Sequence, residues 1–172
     1  MQKIPVRVHL RWVFYALLLL LLYTMQTTPG LFGIAGVRPA LVAPAALAIA
    51  IYENALAGAI YGAVAGLMWD LSAMRLSGFN GVILCVLCVA CSFFFIFWVR
   101  KTVLNASLVC ALALLVQCGL DYLFNFFFFY KDSLYILTRQ LLPGTLYTAL
   151  CCPLILLAVL GIRRACLRGE GT

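Results

Sequence analysis

Apolar residues run along this chain in six long blocks, at 12–28, 39–52, 55–71, 79–99, 103–129 and 141–162, separated by short polar or Gly/Pro-rich breaks such as TTPGLFGIAGVRP and SAMRLSG. Blocks of this kind predict helices that cross a bilayer, for which about 20 apolar residues are needed. The second block is short for a span, so it is expected to tilt little or to be extended at its start by the preceding loop. The fifth is about 40 Å long if wholly helical. It is expected to tilt, to break near Gly119, or to end in an interfacial aromatic stretch.

Within the third block the small residues have a period. Gly58, Gly62, Gly66 and Asp70 are spaced by four, supplemented by Ala55, Ala59 and Ala63, so one helix face is a ridge almost without side chains that ends in a carboxylate. Helices in lipid gain little from burying apolar surface against each other, and close backbone approach through small residues is a main way they associate. The ridge is a docking face, either within the chain or onto another protein's helix. Asp70 is expected to meet water, a cation or a helix N-terminus, with Arg75 or Arg139 as the arginines within reach. On the fifth block Gln117, Asp121 and Asn125 also repeat every four residues, and such a polar row should face the bundle interior or a partner.

Composition agrees with an all-α membrane protein. The 172 residues are 66% hydrophobic and 10% charged, with a mean hydropathy of +1.13, outside the range of ordinary soluble domains. One integral membrane domain over residues 1–172 is expected. The basic head and apolar body at the start resemble a signal peptide. QTTPGLFG offers no small-x-small cleavage site, however, and further spans follow, so the first block reads as an uncleaved helix. Six spans put both termini on one side. With the termini cytoplasmic, Lys3, Arg7, Arg11, Arg100, Lys101, Arg163, Arg164 and Arg168 lie inside, against Arg38, Arg75, Lys131 and Arg139 outside. Eight against four obeys the positive-inside rule, so the net charge of +7 reads as topology and contact with anionic headgroups rather than nucleic-acid binding.

Catalytic and metal constellations find no support. His9 is the only histidine and belongs to the basic amino-terminal head, which excludes Ser/His/Asp, Cys/His and histidine–metal sites at membrane depth. Seven of the eight cysteines lie in apolar runs and read as small hydrophobes. Cys85, Cys88 and Cys91 imitate the start of an iron–sulfur run, but position 95, where the fourth ligand would fall, is Phe95. No enzyme, cofactor or metal is expected.

Three stretches together resemble the MreD family of rod shape-determining membrane proteins. They are VRPALV with Arg38 and Pro39, then ENALAGAIYGAVAGLMWDLSAMRLSGFNGV with Gly58, Gly62, Gly66, Leu67, Asp70, Leu71 and Gly78, and LLPGTLYTALCCPLILL with Pro143, Tyr147 and Pro153. Ala40 stands where a polar or acidic residue often follows the Arg-Pro pair in that family, and Thr148 where asparagine is common. The resemblance implies a multi-pass scaffold in the bacterial cytoplasmic (inner) membrane, part of the elongasome. It implies as partners the bitopic protein MreC, the actin-like MreB filament, and RodA with its transpeptidase. The glycine ridge, Asp70 and the Gln117/Asp121/Asn125 row become candidate contacts for the single helix of MreC.

MreD also looks similar in helix arrangement to the substrate-binding components of energy-coupling-factor vitamin transporters. Such a component is the alternative reading, with Asp70, Arg75, Asp121 and Asn125 lining a ligand cavity near the outer face.

Overall fold

The structure, a computed structural model, describes residues 6–28, 39–73, 78–127, 135 and 137–168. Among them the chain is helical, with no strand: α1 is Val6–Thr27, α2 Val42–Tyr52, α3 Ala55–Ala73, α4 Phe79–Phe97, α5 Val103–Tyr122 and α6 Leu142–Arg168. Two π-helical turns, Leu123–Phe127 after α5 and Leu137–Leu141 before α6, complete the described elements.

Five of these helices are long and apolar enough to cross a membrane; α2 is not. Its eleven residues span only about 16 Å, and all eleven are buried. A helix apolar all round belongs inside, and α2 packs on each of the other five, which close around it in the order α1, α3, α4, α5, α6 and back to α1. Alanine makes this possible, because Ala43, Ala45, Ala46, Ala48 and Ala50 are fully buried and leave room for neighbours on every side. Pro44 falls in the first turn of α2, where its missing N–H breaks no helical bond.

The second apolar block, expected as a helix over 39–52, is therefore a helix only from Val42, with Pro39–Leu41 leading into it. It still runs from one end of the bundle to the other. At its start the Val42 N–H donates to Gln26 Oε1 at 3.3 Å, near the end of α1. At its finish Glu53 meets Arg11, near the beginning of α1, at 3.2 Å.

Other boundaries shift for local reasons. α1 begins at Val6 rather than at residue 12, and α6 runs on to Arg168 rather than stopping at 162. Arginine and lysine are good helix formers, so the basic flanks continue the helices beyond the apolar blocks. α5 passes through Gly119 without a break and changes to π-helical geometry only at Leu123; residues 128–129 of the expected fifth span lie outside the described residues. Large side chains such as Leu17 and Leu21 on α1, Leu108 and Leu112 on α5, and Leu150 and Leu154 on α6 point outward, as lipid-facing positions should.

Candidate functional site

The glycine ridge docks inside the chain. Gly58, Gly62 and Gly66 are buried. A Cβ placed on Gly58 would lie 2.5 Å from Ala50 Cβ of α2, one on Gly62 3.0 Å from the Leu84 carbonyl of α4, and one on Gly66 2.5 Å from Gly81 Cα of α4. The α3–α4 crossing is thus backbone against backbone at its upper end. That closeness brings Asp70, one helical turn beyond Gly66, within reach of the start of α4.

Asp70 is buried and binds that helix start. Its Oδ2 accepts from the Gly78 backbone N–H at 2.9 Å and its Oδ1 from Asn80 Nδ2 at 2.8 Å. Gly78 has φ of 95°, the left-handed region that glycine enters without strain, and it stands at the amino-terminal cap of α4. A carboxylate there meets unsatisfied N–H groups and the positive end of the helix dipole. The spacing of Asp70 and Gly78 along the chain now has its reason: both are needed to turn from α3 into α4. Of the two arginines expected near Asp70, Arg75 lies outside the described residues, and Arg139 sits over the Tyr135 ring at 5.9 Å.

The polar row on α5 is turned inward at its first two positions. Gln117 and Asp121 are buried, and Gln117 Nε2 makes a long contact of 3.4 Å to Asn80 Oδ1, joining α5 to the Asp70 group. Gln117 Oε1 has no hydrogen-bond partner. One turn on, Asn125 Nδ2 donates to Asp121 Oδ1 at 2.8 Å across the junction between α5 and the π-helical turn. Asp70, Asn80 and Gln117 therefore spend hydrogen-bonding capacity on one another at one end of the bundle, as buried polar groups must.

The same end holds contacts that sequence reasoning missed. Thr148 of α6 is buried; its Oγ1 accepts from the Ala40 N–H at 3.0 Å and donates to the Gly144 carbonyl at 2.7 Å. The two positions singled out as departures from the MreD pattern, Ala40 and Thr148, thus touch each other. Pro39 is buried beside them, while Pro143, Tyr147 and Pro153 are partly buried along α6, and Arg38 lies outside the described residues. Pro143 falls in the first turn of α6, and Pro153 lies mid-helix, where its ring removes the bond to the Ala149 carbonyl.

The opposite end is organised by Glu53, which the hydropathy pattern marks only as a break. Its side chain is 7% exposed and its Oε2 lies 3.2 Å from an Arg11 terminal nitrogen. Its Oε1 accepts from the Tyr15 hydroxyl at 2.8 Å and lies 3.6 Å from Arg163 Nε. Arg11 also stacks over Trp12 at 5.2 Å from the ring centroid, and Tyr61 of α3 donates to the Trp12 carbonyl at 2.8 Å. One signal could have exposed this cluster: Glu53 is the first acidic residue in the chain, and the alternation of spans puts it on the same side as the basic residues Arg11, Lys101 and Arg163. Beside it, Lys101 has its ammonium pKa lowered by burial first and then by the positive charge of Arg163, with Glu53 opposing.

Among the described residues no three His, Cys, Asp or Glu side chains gather as a metal-ligand group, and Cys85, Cys88 and Cys91 are free thiols. The polar clusters at the two ends tie helices together, and the described buried side chains between them are apolar apart from Ser92 on α4.

These features define an all-helical protein with five helices long and apolar enough to cross a membrane among its described residues. The family model described as rod shape-determining protein MreD matches residues 6–160. The chain belongs to the MreD family, whose members are shape-determining membrane proteins and not a known class of enzymes. Neither the curated proteins nor the solved structures yield a match.

Proposed function

We propose that this chain is a non-enzymatic scaffold of the bacterial elongasome, seated in the cytoplasmic membrane with both termini inside. In this reading it binds MreC and helps to couple MreB, and through it RodA with its transpeptidase, to lateral peptidoglycan synthesis. Family membership over residues 6–160 carries the reading. The charge distribution supports the orientation, since the Glu53 end collects Arg11, Lys101, Arg163 and Arg164.

The geometry narrows how a partner helix would bind. The glycine ridge, Asp70 and Gln117 are engaged within the bundle, so in this reading MreC meets the outward apolar faces, with the half-buried Asn125 as the polar side chain of the α5 row nearest the surface. The transporter reading asks Asp70 and its neighbours to converge on a ligand. Asp70 is bonded to Gly78 and Asn80, and Asp121 to Asn125, which favours the scaffold reading.

A mild-detergent pull-down of the tagged protein from host membranes, followed by mass spectrometry, tests the proposal. Recovery of MreC is expected. Recovery of a paired ATPase module and its coupling subunit, or of a vitamin-like ligand alone, would overturn it.

A further inference from the structure

We propose that the Glu53 end of the bundle is a specific site for an anionic phospholipid. Arg11, Arg163, Arg164 and Lys101 hold its phosphate, and the notch between α1 and α6 receives part of an acyl chain.

The charge balance is the first observation. Among the described residues Glu53 is the one carboxylate of the cluster, and it is already occupied by Arg11 at 3.2 Å, Arg163 at 3.6 Å and the Tyr15 hydroxyl at 2.8 Å. Arg164 follows Arg163 on α6, and Lys101 lies in the connection from α4 to α5 at the same end of the bundle. Four cations are thus gathered at an end that holds one carboxylate among the described residues. The cluster is also short of acceptors: one carboxylate faces two guanidinium groups with five N–H donors each, and the Arg11 and Arg163 side chains keep 15% and 35% of their surface exposed. An oxyanion with several free lone pairs supplies what is missing, and arginine suits phosphate in particular.

The second observation identifies the phosphate carrier. Directly beside these side chains in the sequence, Leu10, Phe14, Ala165 and Cys166 line a notch of about 240 Å³ that opens outward. Phe14 lies one turn on from Arg11 along α1 and Cys166 one turn on from Arg163 along α6, so the recess follows the helix faces that carry the two arginines. A soluble anion has no use for such a recess at the edge of a membrane helix pair. A phospholipid fills both parts, as basic pockets between transmembrane helices do for anionic headgroups.

The test uses the full-length protein in nanodiscs and native mass spectrometry of the lipid retained after delipidation. Phosphatidylglycerol is expected to remain bound and to raise the thermal midpoint, whereas phosphatidylcholine and inorganic phosphate do not. Arg164→Gln and Lys101→Gln, neither of which pairs with Glu53, should each lower phosphatidylglycerol retention about fivefold. Arg139→Gln, at the other end of the bundle, should leave retention unchanged. Ala165→Trp should lower retention by filling the notch with no change in charge. An unchanged midpoint in phosphatidylcholine shows that each variant folds; should Arg164→Gln fail that check, Lys101→Gln carries the charge test alone. Equal retention of the two lipids, equal loss in Arg139→Gln, or equal stabilisation by inorganic phosphate would overturn the proposal. Displacement of the lipid by a copurifying acidic protein would do the same.

Discussion

The carboxylate of Asp70 and the backbone N–H of Gly78 are 2.9 Å apart, so the last turn of α3 caps the first turn of α4 across a loop whose glycine is held at φ of 95°. Of the partners expected for Asp70, water, a cation or a helix N-terminus, it meets the last, a structural clasp with two donors pointed at it, one from Gly78 and one from Asn80.

Asp70→Asn should therefore destabilise the fold itself. An amide can accept on only one of its two termini, leaving the Gly78 N–H or the Asn80 amide facing another donor. The expected loss is about 1–3 kcal/mol, read as a lower thermal midpoint in detergent. An unchanged midpoint with lost partner recovery would place Asp70 at an interface instead.

Alanine substitutions along the ridge should rank by what each new methyl meets. Gly66→Ala drives Cβ into the α4 backbone at Gly81, which cannot yield, and should be the most damaging. Gly58→Ala meets Ala50 Cβ at 2.5 Å and its Cα at 2.9 Å, and Gly62→Ala, the mildest, meets Cys88 Sγ at 2.9 Å, which can rotate, and the Leu84 carbonyl at 3.0 Å, which cannot. Overpacking of this kind costs about 1–3 kcal/mol. Gly62→Leu should disrupt the α3–α4 crossing outright. Thermal unfolding of the set, with Ala50→Gly added to Gly58→Ala as a partial rescue, checks the order.

Removing Glu53 should release three helices at once. Glu53→Gln leaves Arg11 and Arg163 without their carboxylate, and since the arginine side chains are 15% and 35% exposed the expected loss is about 1–3 kcal/mol, below that of a fully buried pair. Double-mutant cycles with Arg11→Gln and Arg163→Gln should show larger coupling for Arg11, the shorter and more buried contact. No coupling in either cycle would mean that the cluster contributes nothing to stability.

Thr148→Val should uncover the Ala40 N–H by removing the hydroxyl that accepts from it, while Thr148→Ser keeps that bond. A loss of about 1 kcal/mol for valine and much less for serine is expected. Equal midpoints for the two variants would remove the hydroxyl from the account.

The alternation of apolar blocks and breaks was enough to read a helical membrane protein and to place six apolar segments near their observed positions, because lipid demands long apolar runs with internally satisfied backbone. The period-four ridge and polar row were legible for the same local reason, since helical geometry fixes which residues share a face. Spacing alone left open what those faces meet. Only the tertiary structure turned the ridge onto α4, closed Asp70 on Gly78, joined Ala40 to Thr148 and gathered Arg11 and Arg163 on Glu53. It also set α2 as a short helix enclosed by five others, where hydropathy shows merely a weak span. Each of these is a contact between residues far apart in the chain, decided by which backbones can approach closely and which buried donors need an acceptor. Neither condition has a period in the sequence.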